Sequence, residues 1–127
     1  MEKTVVRTEN APAPFQGAPY NQAIRIGDLV FVAGQLGLRP GDTAVEGDIA
    51  TQTEQALRNL AAILDAAGSS LEKLVKTSVF LQDLGDFAAM NEVYARHVGD
   101  RPPARSTFEV AKLPSGALVE IEAVAHV

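Results

Sequence analysis

Arg105, Glu120 and Glu122 are the residues of this chain whose types and spacing best suit chemistry. Arg105 sits in Pro102-Pro103-Ala104-Arg105-Ser106-Thr107, after a proline pair that stiffens the backbone and before a strand-like run. Its planar fork of donors can grip both oxygens of a small carboxylate. Glu120 and Glu122 alternate in Glu120-Ile121-Glu122-Ala123-Val124-Ala125. With a period of two they share a face with Leu118 and Val124, while Val119, Ile121, Ala123 and Ala125 fill the other face. A carboxylate there can orient or deprotonate water. The local pattern also admits a plainer reading: Arg105 in a surface ion pair with Glu120 or Glu122, and the two carboxylates on a solvated strand face or in a subunit salt bridge.

Weaker candidates surround them. Tyr20, in Pro19-Tyr20-Asn21-Gln22, can pack over a ligand and lend its hydroxyl, or can cover the core as a loop aromatic. Gly34, in Ala33-Gly34-Gln35, ends an apolar strand and allows close backbone approach, so that its N–H could meet a ligand oxygen. Asn91 lies on a helix, where it is a poor former with no capping role, and that local conflict points to function. His97 and His126 read as structural, Gln55 and Asn59 as the polar face of a helix, and 37–47 as a plain surface loop without the lysine and threonine of a phosphate loop.

These residues need a scaffold, and the patterning supplies one. Residues 3–8 read as a first strand, and 22–26 with 29–34 as a hairpin around Gly27-Asp28. Asp48 is a good N-cap for a helix of 49–67, whose apolar residues Ile49, Ala56, Leu57, Leu60, Ile63, Leu64 and Ala67 form one stripe. Gly68 suits its stop. Residues 74–82 alternate as a strand, and Asp86 is placed to cap a helix of 87–98. Strands at 105–112 and 118–126 follow as a hairpin around Pro114-Ser115-Gly116, its register left open. The order β-β-β-α-β-α-β-β predicts an α+β fold with two helices on one face of a mixed sheet. Leu29-Val30-Phe31-Val32-Ala33 is apolar on both sides, so the second sheet face also needs cover. A further copy of the chain is the expected cover.

Composition narrows the class. The chain has 127 residues, enough for one domain with its own core. It is 46% hydrophobic and 21% charged, as soluble globular proteins are. The net charge of −5 and scattered basic residues argue against nucleic acid as the main partner. There is no cysteine, which removes disulfides, thiol catalysis and the usual zinc patterns. The N-terminus lacks a signal-peptide layout and no apolar run spans a bilayer, so the chain reads as cytoplasmic.

Several segments resemble one known family. Ala18-Pro19-Tyr20-Asn21-Gln22-Ala23, Ala33-Gly34-Gln35 with Gly37, Val75-Lys76-Thr77-Ser78-Val79, Asp86-Phe87 with Asn91 and Tyr94, Pro103-Ala104-Arg105-Ser106, and Leu113-Pro114 followed by Glu120-Ile121-Glu122-Ala123 match Rid (YjgF/RidA) motifs in order. The resemblance covers about 11–125. It implies a chorismate-mutase-like fold forming a homotrimer with ligand clefts between subunits, and hydrolysis of reactive 2-imino acids (2-iminopropanoate, 2-iminobutanoate) to 2-keto acids and ammonia, without cofactor or metal. Carried over residue by residue, it makes Arg105 the carboxylate clamp and Glu120 the water-orienting acid. Tyr20, Gly34, Asn91 and the neighbourhood of Thr107 become substrate contacts. Three positions depart from the family pattern: Ala33 replaces a common serine, Thr107 a common cysteine and Ala18 a glycine. Ala33 removes one hydroxyl contact and bears on substrate preference. The alternative from another class is a small-molecule-binding regulator or holdase-like protein of the same fold.

Overall fold

The computed structural model describes residues Met1–Val127. Six strands form one mixed sheet: β1 (Lys3–Val6), β2 (Ala23–Ile26), β3 (Leu29–Leu36), β4 (Leu74–Leu81), β5 (Ala104–Glu109) and β6 (Val119–His126). Helices α1 (Ile49–Ala66) and α2 (Phe87–Val98) complete the fold. The α+β class and the element order are those the patterning predicts.

The strand order is β1-β2-β3-β6-β4-β5. Every neighbouring pair is antiparallel except β4 and β5, which run parallel. This corrects the expected terminal hairpin. After the Pro114–Gly116 turn the chain does not fold back on β5. Strand β6 enters the middle of the sheet between β3 and β4, and β5 becomes an edge. The reason is burial: Val119, Ile121 and Ala125 have no exposed surface, which only a central position can give.

Local chemistry sets the boundaries. The two-residue Gly27-Asp28 loop joins β2 to β3, with Gly27 at φ 56°, as a tight hairpin requires. Strand β1 stops at Val6, short of the expected residue 8, because the Thr8 N–H donates to Gln22 Oε1. The Asp48 carboxylate caps α1 by accepting from the Thr51 N–H at 2.9 Å. Asp86 makes no side-chain cap at α2; Asp83 instead accepts from the Gly85 N–H, one turn earlier.

Both helices pack on one sheet face. Leu57, Leu60, Ile63 and Leu64 of α1 and Met90 of α2 meet Val30, Val79 and Ile121 there, in the main core. A smaller apolar cluster of Leu36, Leu38, Leu113 and Ala117, with Phe80 and Phe15 against it, closes one end of the molecule. The other sheet face has no layer of its own. Phe31 is 45% exposed and Phe108 54%, with Leu29 and Val75 also open. No helix is long and apolar enough to cross a membrane.

Asn59 is a correction to the expected polar helix face. It is fully buried, and its Nδ2 donates to the Leu36 and Leu38 carbonyls at 3.1 and 2.8 Å. Gln55 Nε2 donates to its Oδ1. The start of the 37–47 loop is thus tied into α1 rather than lying free on the surface. His97 is structural as expected, its Nε2 lying 2.8 Å from Glu54 Oε1 across the two helices.

Candidate functional site

The sheet divides the candidate residues into two groups. Strand register assigns the faces, because paired residues point the same way. Arg105 pairs with Thr77 and Thr107 with Val79, both buried under the helices. Glu120 pairs with Phe80 and Leu36, and Glu122 with Ser78, on the opposite face. Arg105 and Glu120 therefore lie on opposite sides of the sheet. The two carboxylates point away from the helices, as the period-two reading predicts. The surface ion pair between Arg105 and either of them does not form.

The first group is built on β5 and α2. The Arg105 guanidinium carbon lies 4.8 Å from the centre of the Tyr94 ring and 5.5 Å from that of Phe87, within the range of a cation–π contact. No carboxylate pairs with Arg105. Tyr94 is buried, and its hydroxyl lies 2.6 Å from Thr77 Oγ1. Burial raises the Tyr94 pKa, against the opposing effects of the Thr77 hydrogen bond and the Arg105 charge. Asn91 shares a helical stripe with Phe87 and Tyr94, at spacings of four and three. Its Oδ1 is buried and has no hydrogen-bond partner, a costly state that a ligand donor would relieve.

The second group lines a cleft of about 380 Å³ at the end of β3. Tyr20, Gly34 and Glu120 meet there, with Phe15, Leu36 and Pro114 as apolar walls. Arg105, Asn91 and Thr107 do not line it. The β3 ladder shifts register between Val32 and Gln35, opening a bulge at Ala33-Gly34. A Cβ on Gly34 would lie 2.8 Å from Glu120 Oε2 and 2.9 Å from Cδ. Glycine is what lets the carboxylate come against the strand. Burial first, and Glu122 second, raise the Glu120 pKa above the ordinary glutamate value. Tyr20 is half exposed rather than core, and its hydroxyl oxygen accepts from the Phe15 N–H at 2.6 Å.

Sequence reasoning missed two features of this architecture, the Thr77–Tyr94 contact and the Gln22 anchor. Thr77 and Tyr94 were visible only as strand and helix residues, since their contact joins β4 to α2 across 17 positions. Gln22 is the other: its side chain holds Thr8, Ala11 and Pro12, fixing the segment that forms one cleft wall. No three acidic or histidine side chains come together to hold a metal ion.

The fold and the two side-chain groups define a class: a small α+β protein with an arginine free of any ion pair on one sheet face and a half-buried glutamate on the other. Comparison with known proteins names it. Residues 8–127 match the family described as Endoribonuclease L-PSP, and the chain belongs to this family, also called YjgF/RutC/Rid. It is 50% identical to a RutC family protein of Pyrococcus horikoshii, over 98% of each chain. It is 46% identical to the chloroplastic Reactive Intermediate Deaminase A of Arabidopsis thaliana, over 98% of this chain and 66% of that one. Among solved structures, RidA of the Antarctic Psychrobacter sp. superposes with a TM-score of 0.93 at 40% identity, covering 98% of this chain and 99% of that one. E. coli TdcF, solved with bound serine, gives 0.90 at 37% identity, covering 98% of each. Relatives in chloroplast and mitochondrion show that the family is not confined to one compartment.

Proposed function

We propose that this protein hydrolyses 2-imino acids such as 2-iminopropanoate and 2-iminobutanoate to 2-keto acids and ammonia, in clefts between the subunits of a homotrimer. The observation that carries the reading is Arg105, a guanidinium lying over two aromatic rings with no carboxylate of its own. Its free edge suits a small ligand carboxylate. The deaminase named among the relatives and the serine bound to TdcF point to the same ligand class, a carboxylate beside a carbon–nitrogen centre.

The open sheet face supports the assembly. Leu29 and Phe31 on β3 and Phe108 on β5 leave large apolar side chains exposed on that face, which no layer of the chain itself covers. A second copy covering it can also bring the Arg105 group of one subunit to the Glu120 cleft of the next.

In that cleft, Arg105 holds the carboxylate and Asn91 Oδ1 accepts from the substrate nitrogen. Glu120, with backbone groups near Thr107, holds the water. The water oxygen bonds to the imine carbon as Glu120 takes a proton. The C–N π pair moves to nitrogen, where Glu120 returns that proton to give the carbinolamine. Glu120 then takes the carbinolamine hydroxyl proton and passes it to the amino nitrogen as C=O forms and the C–N bond breaks, releasing the keto acid and ammonia. An already electrophilic imine needs mainly positioning and one proton relay. The raised pKa of Glu120 suits that relay.

RNA cleavage, suggested by the family's name, is not favoured. The net charge is −5, and His97 is committed to Glu54. The test couples an L-amino-acid oxidase to the protein and follows imine lifetime by semicarbazide trapping. Arg105→Ala should lose hydrolysis while the assembly stays intact. Parent-rate hydrolysis by that variant would overturn the clamp, and a parent protein that binds imino acids without turnover would make it a binding protein instead.

A further inference from the structure

We infer that Tyr94, anchored by Thr77 and flanked by Phe87, is a positioning residue that fixes the plane of the Arg105 guanidinium and turns its donor edge toward the ligand carboxylate. The inference rests on reading Arg105 as the clamp.

Three elements meet at this point. The parallel register sets Thr77 of β4 opposite Arg105 of β5, and α2 lays Tyr94 over both. Thr77 is fully buried, and its hydroxyl has one partner, the Tyr94 hydroxyl at 2.6 Å. Valine and phenylalanine would fill the same space, and a buried hydroxyl pair adds little to folding over such a replacement. The Tyr94 hydroxyl also feels a hydrogen bond from Arg105. What the pair does fix is the tilt and depth of the ring beneath the arginine. A guanidinium has all its donors in its plane, so whatever fixes that plane decides where the donors point. Arg105 sits on an edge strand with no ion pair, where a long side chain would otherwise sample many rotamers. Phe87, more open than Tyr94, limits the sweep on the outer side.

The test uses Tyr94→Phe, Thr77→Val, the double variant, Thr77→Ser and Phe87→Leu, with Arg105→Ala as reference. Imine hydrolysis gives KM and kcat, and pyruvate titration of the Arg105 Nε–Hε NMR signal reports the clamp directly. Each of Tyr94→Phe and Thr77→Val should raise KM and the pyruvate Kd about threefold to tenfold, the effect of one hydrogen bond, with kcat within about twofold. The double variant should be no worse than Tyr94→Phe, because Thr77→Val removes a bond that Tyr94→Phe already removes, and Thr77→Ser should behave as the parent. Phe87→Leu, a surface change that folding tolerates, should raise KM about twofold to fivefold and decides the matter should the buried variants misfold. If Arg105→Ala is inactive while Tyr94→Phe, Thr77→Val and Phe87→Leu keep the parent KM and Nε response, the clamp stands and the positioning role is refuted. Should Arg105→Ala itself hydrolyse normally, the clamp reading fails first and takes the positioning role with it. Additive losses in kcat that track melting temperature mark a structural role only and also refute it.

Discussion

Gly34→Ala isolates the placement of Glu120 from everything else in the site. The new methyl would stand 2.8 Å from Oε2 and 3.0 Å from Cγ of Glu120. The carboxylate must retreat by at least about 0.6 Å to reach the 3.4 Å of an ordinary contact. Gly34 lies outside the left-handed backbone region, so alanine fits its conformation. Replacing a strand glycine contributes about 0.5–1 kcal/mol, and pushing Glu120 off its rotamer costs about 0.5–1.5 kcal/mol. The two nearly cancel, so the melting temperature should move by less than about 5 °C. Catalysis should respond far more, because a misplacement of around 1 Å at the reacting group can cost about a hundredfold in rate. KM should stay within about threefold, since the new methyl meets Glu120 and not Arg105. The oxidase-coupled assay gives both constants, and differential scanning calorimetry gives the third quantity. Parent-level kcat in a folded Gly34→Ala protein would refute the claim that Glu120 acts from this position.

The remaining changes test charge and scaffold. Glu120 has a folded pKa raised above its unfolded value of about 4.3. The folded state holds that proton more tightly, so stability falls as pH rises from the ordinary glutamate value through the raised one. Glu120→Gln should therefore be inactive yet more resistant to urea than the parent at neutral pH, and Glu122→Gln should move the acidic limb of kcat/KM toward lower pH; a parent-like urea midpoint for Glu120→Gln would contradict the buried charge. Asn59→Leu leaves the Leu36 and Leu38 carbonyls without donors in the core and should cost about 3 kcal/mol in urea unfolding. A loss below about 1 kcal/mol would mean that water replaces the amide.

The elements were legible because their signals are local. Asp48 and the 3.6-residue stripe set α1, Gly27-Asp28 set the first hairpin, and alternation put Glu120 and Glu122 on the face away from the helices. The position of β6 was not legible, since a strand's parity is the same whether it pairs with β5 or enters between β3 and β4. Without that position, Arg105 and Glu120 look like neighbours across a turn. Asn59 and Tyr94 were hidden for a related reason. Each is defined by a partner far away in sequence, so a helical wheel places Asn59 on a polar face although its amide is buried against the end of β3.

The opposed faces lead to a consequence that can be counted. Arg105 cannot swing to the Glu120 side without reversing the parity of all of β5, which is fixed by pairing from Ala104 to Glu109. A small imino acid reaches only a few ångströms, so the proposed function expects its carboxylate clamp and its water to come from different chains. In the closed ring of three proposed above, each cleft would take the arginine from one subunit and the glutamate from the next. Arg105→Ala and Glu120→Gln should each be inactive alone. Co-refolded in equal amounts, they place an intact arginine beside an intact glutamate at about one cleft in four, since each side is intact with a chance of about one half. The mixture should recover about one quarter of the parent rate, read per chain in the semicarbazide assay. Activity near zero in mixed trimers, verified by native mass spectrometry, would show that each site is completed within a single chain and would overturn the shared cleft.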